Sequence, residues 1–329
     1  MTNKYNNVYI KDSYTIGLIY EGHGPLAKHF DKLYMDDLYY NESSFEKAEI
    51  KLLKDSINGV LVKTKNKDND IDLIISGDLQ NQIAASDYAI REFNIPFLGI
   101  YNACATYGEG LIIASNFINN SNYKNIIVST SSHNMVSERQ FRNPTEYGAP
   151  KPEYSTFTAS GAVSTLLTNK KSKIKITSST IGKVMDAKIK DVNNMGAIMA
   201  IGAADTIKRH LDNLGIKESY YDLILTGDLG KYGEKILIKY MQKEGIDLSK
   251  NYQDSGTMLY DLNNQPVFAG GSGPVCSALV TFGYIIEEMR KGKYKKVLYV
   301  PTGAIFSPTM FYQKETIPTI SHAISLEVI

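Results

Sequence analysis

Between residues 46 and 62 the apolar positions Ala48, Leu52, Leu53, Ile57, Val60 and Leu61 recur at intervals that keep them on one helix face. Met199, Ala203, Ile207, Leu211 and Leu214 do the same over residues 196–214. Each predicted helix leads through a polar turn into a short run rich in Leu and Ile, Ile71–Ser76 and Asp222–Thr226. Strands of that kind fit a sheet covered on both faces. A second helix is predicted after each strand, over Gln82–Phe93 and Glu234–Glu244.

The two patterns are copies of one another. Residues 71–82 read IDLIISGDLQNQ and residues 221–233 read YDLILTGDLGKYG, 150 positions further on. That period is too long for a solenoid and marks a duplicated half. The copies continue in step. NACATYGEGLIIASNFI precedes the strand NIIVSTSS, and GGSGPVCSALVTFGYIIEEM precedes KVLYVPTGA. Cys104 stands 22 positions before Ile126, and Cys276 stands 21 before Val297. Alternating strands and helices make the fold α/β. Two like halves predict a five-layered αβαβα sandwich with a shared inner helix layer. The halves are expected at 1–168 and 174–329, with the boundary in Asn169–Lys173.

Composition narrows the function. The 329 residues are 43 % hydrophobic, enough for a large core. With 36 basic and 35 acidic residues and no basic stripe, nucleic acid is not an expected partner. Two cysteines do not make a disulfide scaffold. No apolar run approaches a signal peptide or the ~20 residues of a membrane span, so a soluble protein of a reducing cytoplasm is expected.

Candidate chemistry centres on Cys104. It should follow a strand at Pro96–Tyr101 and open a helix, where unsatisfied N–H groups and the helix dipole lower a thiol pKa. The competing reading is a small apolar residue packed between layers. Cys276, deeper in an apolar helix, reads as structural. Asp78 and Asp228 read as N-caps of the helices that follow them. No local cluster has the spacing of a zinc or calcium site.

A strand, a small-residue turn, a cysteine and a helix in a duplicated α/β chain resemble the thiolase fold, which includes the β-ketoacyl synthases. PEYSTFTASGAVSTLL (152–167) resembles their glycine-rich strand pair. That resemblance implies two His or Asn side chains beside the cysteine for proton transfer and thioester polarisation. Here TGDLGKYG places Gly227 and Asp228 where one histidine would be expected, and AGGSGPV (269–275) carries neither His nor Asn. His23, His29, His133, His210 and His322 all lie outside these turns. Condensing activity is therefore not expected; the alternative is an acyltransferase or condensing enzyme using Cys104.

More specific strings run end to end: GDLQNQ (77–82), SSHN (131–134), ERQFRNPTEYG (138–148), DLILTGDLG (222–230), VFAGGSG (267–273), TGAIFSPTM (302–310) and QKETIPTISH (313–322). Together they resemble the stage V sporulation protein AD family of spore-forming bacteria. The resemblance implies a thiolase-fold protein without catalysis that binds dipicolinic acid, free or as its calcium chelate. It implies a role in uptake of that acid into the forespore and release at germination. It also implies membrane-protein partners from the same operon, manufacture in the forespore cytoplasm and a peripheral place at the spore inner membrane. A homodimer is the default for the fold.

Dipicolinate is flat and carries two carboxylates, so its site needs cationic donors and a narrow apolar slot. Ser132, His133, Asn134, Arg139, Arg142 and Lys151 are expected together in one pocket-side loop. The competing reading pairs Arg139 and Arg142 with Glu138 or Glu146, and makes His133 a satisfied core histidine. Gly270, Gly271 and Gly273 form either an anion nest or a plain turn. Cys104 would be a pocket wall. Calcium would have to arrive with the ligand.

Overall fold

In the computed structural model, residues 1–141 and 150–329 are described. The first half contributes strands β1 (Tyr9–Gly17), β2 (Leu73–Gly77), β3 (Phe97–Gly99), β4 (Asn125–Ser132) and β5 (Gly161–Thr168). Its helices are α1 (Phe45–Thr64), α2 (Ala84–Ile90), α3 (Thr106–Asn120) and α4 (Asn134–Phe141). The second half contributes β6 (Ile174–Thr180), β7 (Leu223–Thr226), β8 (Tyr252–Asp254), β9 (Lys296–Val300) and β10 (Ala323–Val328). Its helices are α5 (Met195–Leu214), α6 (Gly230–Lys243) and α7 (Pro274–Leu279); α7 runs on through a π-helical stretch, Val280–Ile285, to Lys291.

The duplication is written in the strand order. The sheet reads β8-β7-β9-β10-β6-β1-β5-β4-β2-β3. Taken from either edge, each half is third, second, fourth, fifth, first. In both halves the second strand is parallel to the third and fourth, and the fifth is antiparallel to its neighbours. The halves meet where Tyr9 and Ile10 of β1 pair with Lys175 and Ile174 of β6.

Adjacent residues of the repeated strands serve different layers, as the period of two requires. Ile75 and Leu225 enter one central core with Tyr107 and Leu111 of α3 and Val275 and Leu279 of α7. Their neighbours Ile74 and Ile224 face outward, Ile74 under Leu53 and Ile57 of α1, Ile224 under Ala203 and Ile207 of α5. This gives helix, sheet, helix, sheet, helix, with α3 and α7 shared between the sheets. Helix starts and stops follow local chemistry. Ser44 Oγ accepts the Lys47 amide to cap α1, and Gly215 closes α5 in the left-handed region at φ 67°.

The repeated Gly-Asp turns need their glycines for space. A Cβ on Gly77 would fall 2.0 Å from the Ile100 carbonyl, and one on Gly227 would fall 2.8 Å from Ser277 Cβ. Beyond these turns the halves part company. The helix expected over Gln82–Phe93 is shortened to Ala84–Ile90, because Gln82 (φ 60°) and Ile83 (φ 51°) turn left-handed first. In the second half the helix starts at Gly230, two residues after Asp228 and ahead of the expected Glu234.

Candidate functional site

Cys104 lies in a 3-10 turn, Ala103–Ala105, at the foot of α3. The turn is tight: Ala103 sits at φ 48°, and Thr106 Oγ1 accepts the Asn102 amide (2.9 Å) while donating to the Ala103 carbonyl (2.6 Å). Strain of this kind in a non-glycine residue gathers at functional sites. The residue is half-buried, with its sulfur on the inner side 3.9 Å from Ser272 Oγ of the opposite half.

Asp228 stands beside it. Its backbone is left-handed (φ 69°), a conformation aspartate tolerates better than most residues. That direction carries the carboxyl away from α6 and into the space between the halves. Oδ2 accepts the Gly273 amide at 2.9 Å. The Cys104 and Cys276 thiols adjoin the same carboxyl, whose Oδ1 has no well-formed hydrogen bond among the described residues. The expected capping role falls instead to Asp254, which accepts the amides of Leu229 (3.1 Å), Gly230 (2.8 Å) and Gly256 (3.0 Å) and the Thr226 hydroxyl (2.7 Å). Asp78 does hold its own turn, accepting the Gln80 and Ser86 amides at 2.8 Å. Like-sequence turns are thus stabilised by different carboxylates.

The electrostatics follow from burial. Burial pushes the Cys104 thiol well above its ordinary value, and the neighbouring Asp228 pushes it further. This corrects the expectation of a lowered pKa at a helix start. Asp228 is itself pushed well up by burial, with the Cys104 thiol pulling the other way and Asp254 adding to the rise. Cys276 is fully buried and likewise raised.

Cys104 and Ser272 form part of the wall of a small chamber of about 60 Å³. Leu79, Phe141, Met195, Met199 and Phe306 make its apolar wall; Ser137, Thr158 and Glu138 bring polar atoms. Tyr101, Phe141 and Phe306 also border an outer cleft of about 460 Å³ rich in amides from Gln80, Asn81, Gln82 and Gln140. These three rings separate the inner space from the outer.

The candidate ligand residues are spread over several places. Residues 134–141, expected in a loop, form helix α4. His133 is buried with Nε2 2.8 Å from the Leu38 carbonyl and Nδ1 accepting the Met135 amide; burial lowers its pKa to about 4. It is the satisfied core histidine. Ser132 Oγ donates to the Ala159 carbonyl, and the Asn134 amide donates to Ser160 Oγ. Arg139 pairs with Glu46 (3.2 Å) on the outside of α1 and borders a different cleft from Cys104, while Glu146 lies outside the described residues. Lys151 pairs at 2.7 Å with Glu138, itself a residue of the chamber wall. Gly271 belongs to a short strand beside Phe157 and packs on Cys276 and Tyr260. Of the glycine turn, Gly273 offers an amide, and Asp228 occupies it. Arg142 lies outside the described residues. Among the described residues no group of three or more His, Cys, Asp or Glu could hold a metal ion, and no helix is long and apolar enough to cross a membrane.

Phe141, Phe306, Thr158 and Ser272 carry no signal in the sequence, and Glu138 enters there only as a partner for an arginine. They come from four separate segments, and only the meeting of the halves brings them together. Asp228 carried a signal, since it occupies the turn where a histidine was looked for.

Comparison with known proteins agrees with this architecture. The family model described as stage V sporulation protein AD matches residues 2–327. Stage V sporulation protein AD of Bacillus subtilis (strain 168) is 44 % identical over 307 residues, 93 % of this chain and 90 % of that protein. Among solved structures, a variant of OleA from Xanthomonas campestris aligns with TM-score 0.65 at 10 % identity, covering 98 % of this chain and 97 % of its own. The tetronic acid condensing enzyme AbyA1 aligns with TM-score 0.58 at 12 % identity, covering 97 % and 99 %. At such identities the likeness is one of fold.

Proposed function

Because the chain belongs to the stage V sporulation protein AD family, a sporulation protein with the fold of condensing enzymes, we propose that it is a non-catalytic binder of dipicolinic acid. It would take the acid free or with calcium and serve its uptake into the forespore and release at germination. One observation carries the non-catalytic part: the ionisable group set beside the Cys104 thiol is a buried carboxyl, Asp228. A buried carboxyl beside the sulfur opposes thiolate formation, and its Oδ2 is already taken by the Gly273 amide.

The chamber suits a flat acid. Phe141, Phe306 and Leu79 offer an apolar slot for a ring, and Thr158, Ser137 and Ser272 offer hydroxyl donors. Lys151, held by Glu138 at the wall, is the cation best placed to meet a ligand carboxylate. A calcium ion chelated by the ligand would find the Glu138 carboxylate. Membrane proteins are the proposed partners and the spore inner membrane the proposed location. The edge strand β3, with Leu98 exposed, is the proposed seam of a homodimer.

Isothermal calorimetry with dipicolinate, with and without Ca²⁺, tests the ligand. Saturable binding is expected; its absence under both conditions defeats the assignment. A second reading, acyl transfer through Cys104, draws on the thiol at the floor of a condensing-enzyme fold. Incubation with acyl-CoA and intact mass spectrometry decides it: an adduct at neutral pH would establish acyl transfer, and an unmodified mass would remove it.

A further inference from the structure

We infer that Asp228 holds Cys104 as an unreactive thiol, an inference that rests on the non-catalytic reading of this cleft. Three acids meet between the halves, the Asp228 carboxyl and the thiols of Cys104 and Cys276. The geometry that joins them is built. The left-handed backbone of Asp228 aims the carboxyl inward, and the Gly273 amide holds Oδ2 at 2.9 Å.

Among the described residues nothing in the chamber wall compensates a second negative charge. The described residues lining the chamber include Glu138 but no Lys, Arg or His, and the Lys151 ammonium is engaged by Glu138. The other ionisable groups facing the cluster are acids as well. Asp254 approaches from β8, Glu21 from the first half, Tyr101 from beyond β3 and Tyr299 from β9. Like charges in contact within protein cannot all ionise. The cluster therefore carries at most one negative charge. In water a carboxyl is more acidic than a thiol by about 4–5 pK units. Asp228 is therefore the first of the three to ionise, and both thiols keep their protons.

The helix start at Cys104 works in the opposite direction and loses. A helix N-terminus is equivalent to roughly half a positive charge. Asp228, once ionised, sets a full negative charge beside the sulfur. A small residue at position 228 would leave the dipole unopposed. Asp228 is thus a positioning residue for the thiol's proton, and the cysteine survives as a soft, uncharged piece of pocket wall.

The test is a pH profile of alkylation by iodoacetamide, in which the Cys104 thiolate sulfur displaces iodide and the thiol proton goes to buffer. Mass spectrometry of the Cys104 and Cys276 peptides separates the two sites. The midpoint of the profile, unlike the absolute rate, does not depend on access. Wild type should show a Cys104 midpoint above the ordinary value of about 8.5. Asp228→Asn should lower it by at least one unit, raising the rate at pH 7.5 about tenfold, and Asp228→Glu should keep it high. A wild-type midpoint at or below about 8.5 overturns the inference whether or not any variant folds. So does an unchanged midpoint in a cooperatively folded Asn variant, or resistance of wild type and Asn variant alike at every pH, since access would then be the protection. Calorimetry with dipicolinate on the same wild-type protein is read separately. No binding with a high midpoint defeats the ligand assignment alone; binding with a low midpoint defeats this inference alone.

Discussion

The Gly273 amide donates to Asp228 Oδ2 at 2.9 Å, so the glycine turn that could seat an external anion is filled by the chain's own carboxylate. This bond ties the turn after β7 to the turn before α7. It requires a residue at 228 that tolerates φ 69° and presents an acceptor.

Asparagine meets both requirements. Asp228→Asn should therefore change stability by about 1 kcal/mol or less at pH 7, since the amide oxygen can accept from Gly273 and no buried acid remains. Asp228→Val should lose about 3 kcal/mol or more, combining a strained left-handed β-branched residue with an orphaned Gly273 amide. Urea denaturation of the two variants checks this. Equal losses would mean that side-chain volume, not backbone and acceptor, governs the position.

Asp254 does the capping that the sequence assigns to Asp228. Four donors converge on it: the Leu229, Gly230 and Gly256 amides and the Thr226 hydroxyl. Asp254→Ala should cost about 3 kcal/mol or more because several buried donors are left unpaired together. Thr226→Val removes one donor and should cost about 1 kcal/mol. A small effect of Asp254→Ala in chemical denaturation would show that other groups satisfy these amides.

The repeat was the most legible part of the chain. IDLIISGDLQ and YDLILTGDLG announced two equivalent strands, and the strand order confirms that equivalence strand by strand. Periodicity also located α1 and α5 to within one or two residues of their ends, because each buries a continuous face. What periodicity does not carry is backbone sign. The left-handed residues Gln82, Ile83 and Asp228 make the two GDL turns diverge, and none of them is a glycine. Nor is convergence visible in one dimension. Arg139 and Lys151 lie 12 positions apart, yet one meets Glu46 on an outer face and the other meets Glu138 at the chamber. Hydrophobic pattern fixes which face is buried; long-range pairing fixes what stands opposite.

That separation of the two cations makes a discriminating prediction for ligand binding. Lys151→Ala should weaken dipicolinate binding about tenfold, the value of one charge-assisted hydrogen bond of ~1.4 kcal/mol. Arg139→Ala should leave affinity within about twofold, because its partner Glu46 and the cleft it borders lie away from Cys104. Titration calorimetry measures both. A larger loss from Arg139 than from Lys151 would move the ligand site to the outer cleft.

A second buried carboxylate pair sets a pH dependence. Glu49 accepts from Gln80 Nε2 (3.0 Å) and Ser131 Oγ (3.1 Å), and Asp78 lies in its field. Burial, then Asp78, raises Glu49; burial is the leading cause for Asp78 also. A carboxyl raised in the folded state binds its proton more tightly there than in the unfolded chain. Its contribution is present at pH values below the ordinary carboxylate range and is lost as pH climbs, for Glu49 up to about 8. Buried His133, His210 and His322, each lowered to about 4, act in the opposite sense on the acid side. The difference between wild type and Glu49→Gln removes that background. Relative to wild type, Glu49→Gln should gain stability between pH 5 and pH 8, by an amount on the order of 1–3 kcal/mol. Thermal denaturation at a series of pH values reads the difference directly. A constant offset between the two proteins across this range would show that Glu49 does not titrate there.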